Sequence, residues 1–85
     1  METRQVPNAP TPAELLRLRT GFRRPQVATR AGINPKTLER IERGVRWSQA
    51  VTLERIAEAL GVDPEVYVIA VFRSWQRTQA RKRAA

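Results

Sequence analysis

Lys36, Thr37, Arg40 and Arg43 fall within one short stretch, INPKTLERIERG at residues 33–44. Lysine and arginine offer hydrogen-bond donors and no acceptor, while threonine adds a hydroxyl that can do both. A set of this kind addresses an anion or an acceptor-rich edge. It activates no nucleophile. The chain contains no histidine and no cysteine, which removes the commonest general base, the thiolate and the usual metal ligands together. Ser48 and Ser74 therefore have no base to activate them. The residue types point to binding, with no enzyme, metal or cofactor expected.

The stretch is bounded as a helix. Asn34-Pro35 is a cap followed by proline at the first helical position, and Gly44 is a stop signal. On a 100° wheel over residues 35–43, Leu38 and Ile41 define one side. Lys36, Glu39, Arg40 and Arg43 define the other, with Thr37 on the shoulder. Only two large apolar residues anchor this helix, so its polar side is either a solvated face or the face that meets a partner.

Charge favours a partner that is a polyanion. The net charge is +8, and it is unevenly spread. Residues 1–20 carry +1, residues 21–46 carry +5, residues 47–67 carry −3, and residues 68–85 carry +5. No acidic cluster balances the cations of 21–46, whereas a merely soluble surface intersperses its signs.

The remaining elements follow from similar punctuation. Thr11-Pro12-Ala13-Glu14 reads as a capping box, and Asp63-Pro64-Glu65 as a second cap-then-proline start. Gly21, Gly32, Gly44 and Gly61 each follow a helical segment. Five helices are expected, at about 12–20, 24–31, 35–43, 49–60 and 64–79. Apolar stripes at Leu15 and Leu18, Val27 and Ala31, Leu38 and Ile41, and Leu53, Ile56, Ala57 and Leu60 are read as one core, with Phe22 and Val62 closing gaps. The spacing predicts an all-α bundle with short connections. Residues 1–10, with Pro7, Asn8 and Pro10 and no periodicity, are read as a flexible arm. Residues 11–79 are read as the domain, and 80–85, with Arg81-Lys82-Arg83, as a frayed basic tail. A glycine turn joining the second and third helices is the helix-turn-helix arrangement, whose second helix projects into the DNA major groove.

GFRRPQVATRAGINPKTLERIERG followed by TLERIAEALGV resembles the Cro and lambda-repressor-like helix-turn-helix (XRE-type) domains. The likeness spans roughly residues 15–67 and rests on positions such as Val27, Ala28, Gly32, Leu38, Ile41, Glu42, Gly44, Leu53, Ile56 and Leu60. It implies a five-helix lambda-repressor-like bundle with an extended C-terminal helix, and sequence-specific binding to operator DNA as a dimer. Carried over by position, the base-reading residues are Pro35, Lys36, Thr37 and Arg40. Lysine and arginine suit guanine O6 and N7, and threonine or proline a thymine methyl. The phosphate-holding positions are Arg23, Arg24, Arg43 and Arg46. The family commonly has glutamine at the place of Arg24 and serine at that of Arg23; that glutamine's hydrogen bonds are lost here, while the free amides of the helix start remain. The family also pairs Glu42 with an arginine at the position of Arg17, a structural ion pair. Glu39 either accepts from cytosine or pairs with Arg43 one turn on; the pairing is favoured. Trp47 is read as capping the core between helices rather than stacking on DNA.

VYVIAVFRSW, residues 66–75, is apolar nearly all round. Val68, Val71, Phe72 and Trp75 form one face, and Val66, Ile69 and Ala70 another. One helix of a small domain buries one face internally, so the surplus, around Ile69, Phe72 and Trp75, is read as a homodimer interface. A thick core helix, or a strand, is the alternative. A membrane anchor needs roughly 20 apolar residues and is not expected. The whole reads as a small transcriptional repressor, Cro or phage-repressor-like, acting on double-stranded DNA in the bacterial cytoplasm and nucleoid. No small-molecule ligand is implied. The rival readings are an antitoxin that also binds a toxin, and a recombination or architectural accessory factor.

Overall fold

The computed structural model describes residues 9–84, so residues 1–8 of the expected arm lie outside the described residues. Five helices follow in order: α1 Pro12–Thr20, α2 Arg24–Ala31, α3 Pro35–Glu42, α4 Ala50–Leu60 and α5 Pro64–Ala84. Among the described residues the fold is all-α.

Side chains next to the helix starts hold most of them. Thr11 Oγ1 accepts from the Glu14 N–H at 3.1 Å, and Glu14 Oε1 accepts from the Thr11 N–H at 2.9 Å, a reciprocal capping box. Asn34 Oδ1 accepts from the Lys36 N–H at 2.7 Å, and Asp63 Oδ1 from the Glu65 N–H at 2.8 Å. α2 lacks such an N-cap. There the Gln26 side chain reaches back to accept from the Arg23 N–H at 2.8 Å, and Pro25 in the first turn leaves one fewer donor to satisfy.

Two helix pairs share the core. α1 packs on α5 and α2 on α4, while α4 also packs on α5 and α3 closes the middle. Val27, Leu38, Leu53, Ile56 and Ala57 are buried, and Phe22 and Val62 pack half-buried against them. Tyr67 and Val71 of α5 are fully buried in the same core. α5 is therefore a core element and carries an interface candidate only on its outer side.

Several expectations are corrected. Leu15 and Leu18 are 41% and 52% exposed, and α1 instead buries Ala13 and Arg17, with Leu16 against the core. The reason is that α1 turns toward the carboxylate of Glu42, and the register that brings Arg17 inward points Leu15 and Leu18 outward. The two proposed faces of α5 are also redrawn. Tyr67, Ala70, Val71 and Ser74 are inward, and Val66, Ile69 and Phe72 outward. Trp47 does not cap the core. It is 44% exposed and lies edge-on to Phe72 and Trp75, with ring centroids 6.2 Å apart in both cases. α3 stops at Glu42 and α4 starts at Ala50, each one residue inside the expected bound. α5 runs to Ala84, because the residues after Gln79 are alanine, arginine and lysine, all good helix formers, with no glycine or proline to stop it. At about 1.5 Å per residue its 21 residues span roughly 32 Å, in a molecule whose longest extent is 39 Å.

Candidate nucleic-acid interface

α3 is amphipathic in a way that separates its two tasks. Leu38 and Ile41 are fully buried and Glu42 nearly so. Pro35, Lys36 and Arg40 are exposed and Thr37 is half-exposed. Arg40 has no carboxylate within ion-pair distance among the described residues. Glu39 sits between the neighbouring cations, with Oε2 3.2 Å from Arg43 Nη1 and Oε1 3.7 Å from Lys36 Nζ. The hydrogen bond from Arg43, then the charge of Lys36, draw its carboxyl below the ordinary value. Both contacts are exposed and consequently weak, so each cation can exchange Glu39 for an external anion.

Beneath this face lies a charged cluster that holds three elements together. Arg17 Nε donates to Glu42 Oε2 at 2.7 Å, and Arg17 Nη1 to the Phe22 carbonyl at 3.2 Å. Arg24 Nε donates to Glu42 Oε1 at 3.0 Å, and its Nη2 to Glu14 Oε2 at 3.1 Å. Thr11 Oγ1 donates to the Glu42 carbonyl. Glu42 thus serves two guanidiniums while almost wholly buried. The Tyr67 phenol lies against this cluster; burial, then the Glu42 charge, push its pKa up. Its hydroxyl has no hydrogen-bond partner among the described residues.

The expected phosphate set is split by these contacts. Arg23, Arg43 and Arg46 are exposed. Arg24 is only half-exposed and tied inward to Glu14 and Glu42, although it still lines the surface depression at the start of α3 with Pro25, Asn34, Lys36 and Glu39. On α5, Ile69 and Phe72 are exposed and Trp75 is half-buried beside Trp47.

Two short helices joined at Gly32, the second buried by Leu38 and Ile41 and cationic outside, define a helix-turn-helix DNA-binding domain. A family model described as "Helix-turn-helix domain" matches residues 13–66, and the chain belongs to that family, in keeping with the Cro-like resemblance of its sequence. No curated protein and no solved structure matches. The matched region takes in α1–α4 and stops at Val66, so nearly all of α5 lies beyond it. Among the described residues no helix is long and apolar enough to cross a membrane.

Sequence reasoning missed the inward ties of Arg24 and the placement of Arg77 and Arg81. Those two line a second depression with Glu14, Arg24, Glu39 and Arg43. A signal for them was present: the inward stripe of α5, Tyr67, Ala70 and Ser74, continues at helical spacing into Arg77 and Arg81.

Proposed function

We propose that this protein is a sequence-specific transcriptional regulator, a small repressor that binds a palindromic operator as a homodimer. α3 enters the major groove. Lys36 and Arg40 donate to guanine O6 and N7, and Thr37 and Pro35 touch base edges or a thymine methyl. Arg23, Arg43 and Arg46 hold flanking phosphates, and Arg24 serves the same backbone from its partly inward position. The observation that carries this reading is the division of α3, whose buried Leu38, Ile41 and Glu42 fix its orientation and leave Lys36 and Arg40 exposed together. Repression fits a helix that, seated in the major groove, occludes the site it binds. The outward Val66, Ile69 and Phe72 supply the apolar surface for a second copy.

The test is Arg40→Ala against an operator and its single-base variants. The expected loss is about 1–3 kcal/mol, with relaxed preference at one base pair per half-site. A uniform loss across all variants would demote Arg40 to a phosphate contact and remove the base-reading role.

A further inference from the structure

The C-terminal basic segment is not accounted for by the helix-turn-helix. Residues 68–85 carry +5, and the family match ends before them. Helical register decides where that charge goes. Ser74 is buried against α1, its Oγ accepting from the Ala13 N–H at 3.1 Å, so the side of α5 bearing Ser74 faces the body of the domain. Arg77 and Arg81 continue that side at i+3 and i+7. They pass over the end of α3, where Thr78 Oγ1 donates to the Arg43 carbonyl at 2.9 Å. Arg77 Nη1 and Nη2 donate to the carbonyls of Pro10 and Ala9 at 3.3 and 3.2 Å, which fixes the guanidinium while leaving its charge uncompensated by those neutral partners.

The result is a depression with Arg24, Arg43, Arg77 and Arg81 on its walls against Glu14 and Glu39. It shares Arg24 and Glu39 with the depression at the start of α3. The two adjoin along the Lys36–Glu39–Arg43 side of α3 and make one strip from Lys36 to Arg81. Four guanidiniums from α2, the end of α3 and α5 outnumber the two carboxylates, and both carboxylates already have arginine partners.

The geometry points to a second phosphate clamp: Arg81, with Arg77 beside it, binds a phosphodiester of the duplex backbone next to the one held by Arg43, extending the DNA contact from α3 onto the C-terminal end of α5. This rests on the DNA-binding reading above and adds to it a contact outside the matched family region. Arg77 is the positioning residue, since it also holds the chain leading into α1. Arg81 is exposed and free to reach the phosphate.

Arg83 provides the internal control. It has the same charge on the same helix, two residues on and about 200° round. Binding of the full chain to a duplex should be followed across a salt series for the unsubstituted protein, Arg81→Ala, Arg81→Lys and Arg83→Ala. Arg81→Ala is expected to reduce the log–log salt slope by about one unit, Arg81→Lys to restore it, and Arg83→Ala to leave it unchanged. Equal reductions for Arg81→Ala and Arg83→Ala, or none for either, overturn the clamp. They leave the base-reading account standing as long as single-base discrimination persists. Failure of the unsubstituted chain to bind any duplex overturns both.

Discussion

Glu42 is the residue on which the position of α3 depends. Its carboxylate is 1% exposed and accepts from both Arg17 and Arg24. Removing it leaves two guanidiniums facing a desolvated site. Truncating one partner of a buried ion pair costs about 3–5 kcal/mol. Glu42→Ala should therefore lower the melting temperature by at least about 12 °C, since each kcal/mol shifts a domain of this size by roughly 4–8 °C. Arg30 is the comparison, because it is exposed and lies over the Phe22 ring at 4.9 Å, an arrangement worth about 0.5–1 kcal/mol. Calorimetric melts of Glu42→Ala and Arg30→Ala should differ clearly; equal, small losses would mean that the cluster contributes no net stability. At this scale the sequence was partly legible. Glu42 lies at the edge of the Leu38–Ile41 side, and family likeness supplied Arg17 as its partner. By sequence Arg24 is a phosphate contact only. Its second partner, Glu14, sits on α1, and no local periodicity reports which distant helix a side chain will meet.

The junction of α3 with α5 is the corresponding feature among elements. Gly44 ends α3 at φ +77°, and a Cβ there would lie 2.2 Å from the Ser74 carbonyl oxygen. The absent side chain thus lets the α5 backbone pass directly beneath the end of α3, where Thr78 then bonds Arg43. Gly21 has a similar φ of +84° with nothing within 4 Å of the added carbon. Gly21→Ala should cost about 1–2 kcal/mol, the penalty of a left-handed conformation alone. Gly44→Ala should cost distinctly more, because α5 must also move. Urea denaturation of the two variants measures the difference, and equal losses would contradict the close approach. Helix starts were the most legible part of the fold. Thr11-Pro12, Asn34-Pro35 and Asp63-Pro64 state them locally, through side chains that bond the first free amides. Which face each helix buries was less legible. Leu15 and Leu18 made a plausible stripe, but a wheel contains no information about the neighbour, and here Glu42 draws Arg17 inward instead. The end of α5 had no stop signal at all, so its basic turn read as a tail.

Two exposed surfaces stand out on the molecule, one on α3 with the basic strip beside it, the other formed by Val66, Ile69 and Phe72 with Trp47. One third helix spans only a few base pairs. Two copies related by a two-fold axis read half-sites about one helical turn apart. Phe72 is 47% exposed and outside the buried core, so Phe72→Asp should yield a folded monomer: desolvating a carboxylate opposes association and leaves the core untouched. Sedimentation analysis with a helical spectrum checks this. A dimeric Phe72→Asp protein, or an unsubstituted chain that stays monomeric even on DNA, would contradict the α5 interface. The central claim, that the exposed side of α3 reads base sequence, is tested most directly by selecting duplexes from a random pool with the full-length protein and sequencing those retained. The account predicts an imperfect palindrome with half-sites about one helical turn apart and a preferred guanine in each half that disappears from the pool selected by Arg40→Ala. Retention of duplexes without enriched sequence, or the same enrichment by Arg40→Ala, would contradict it.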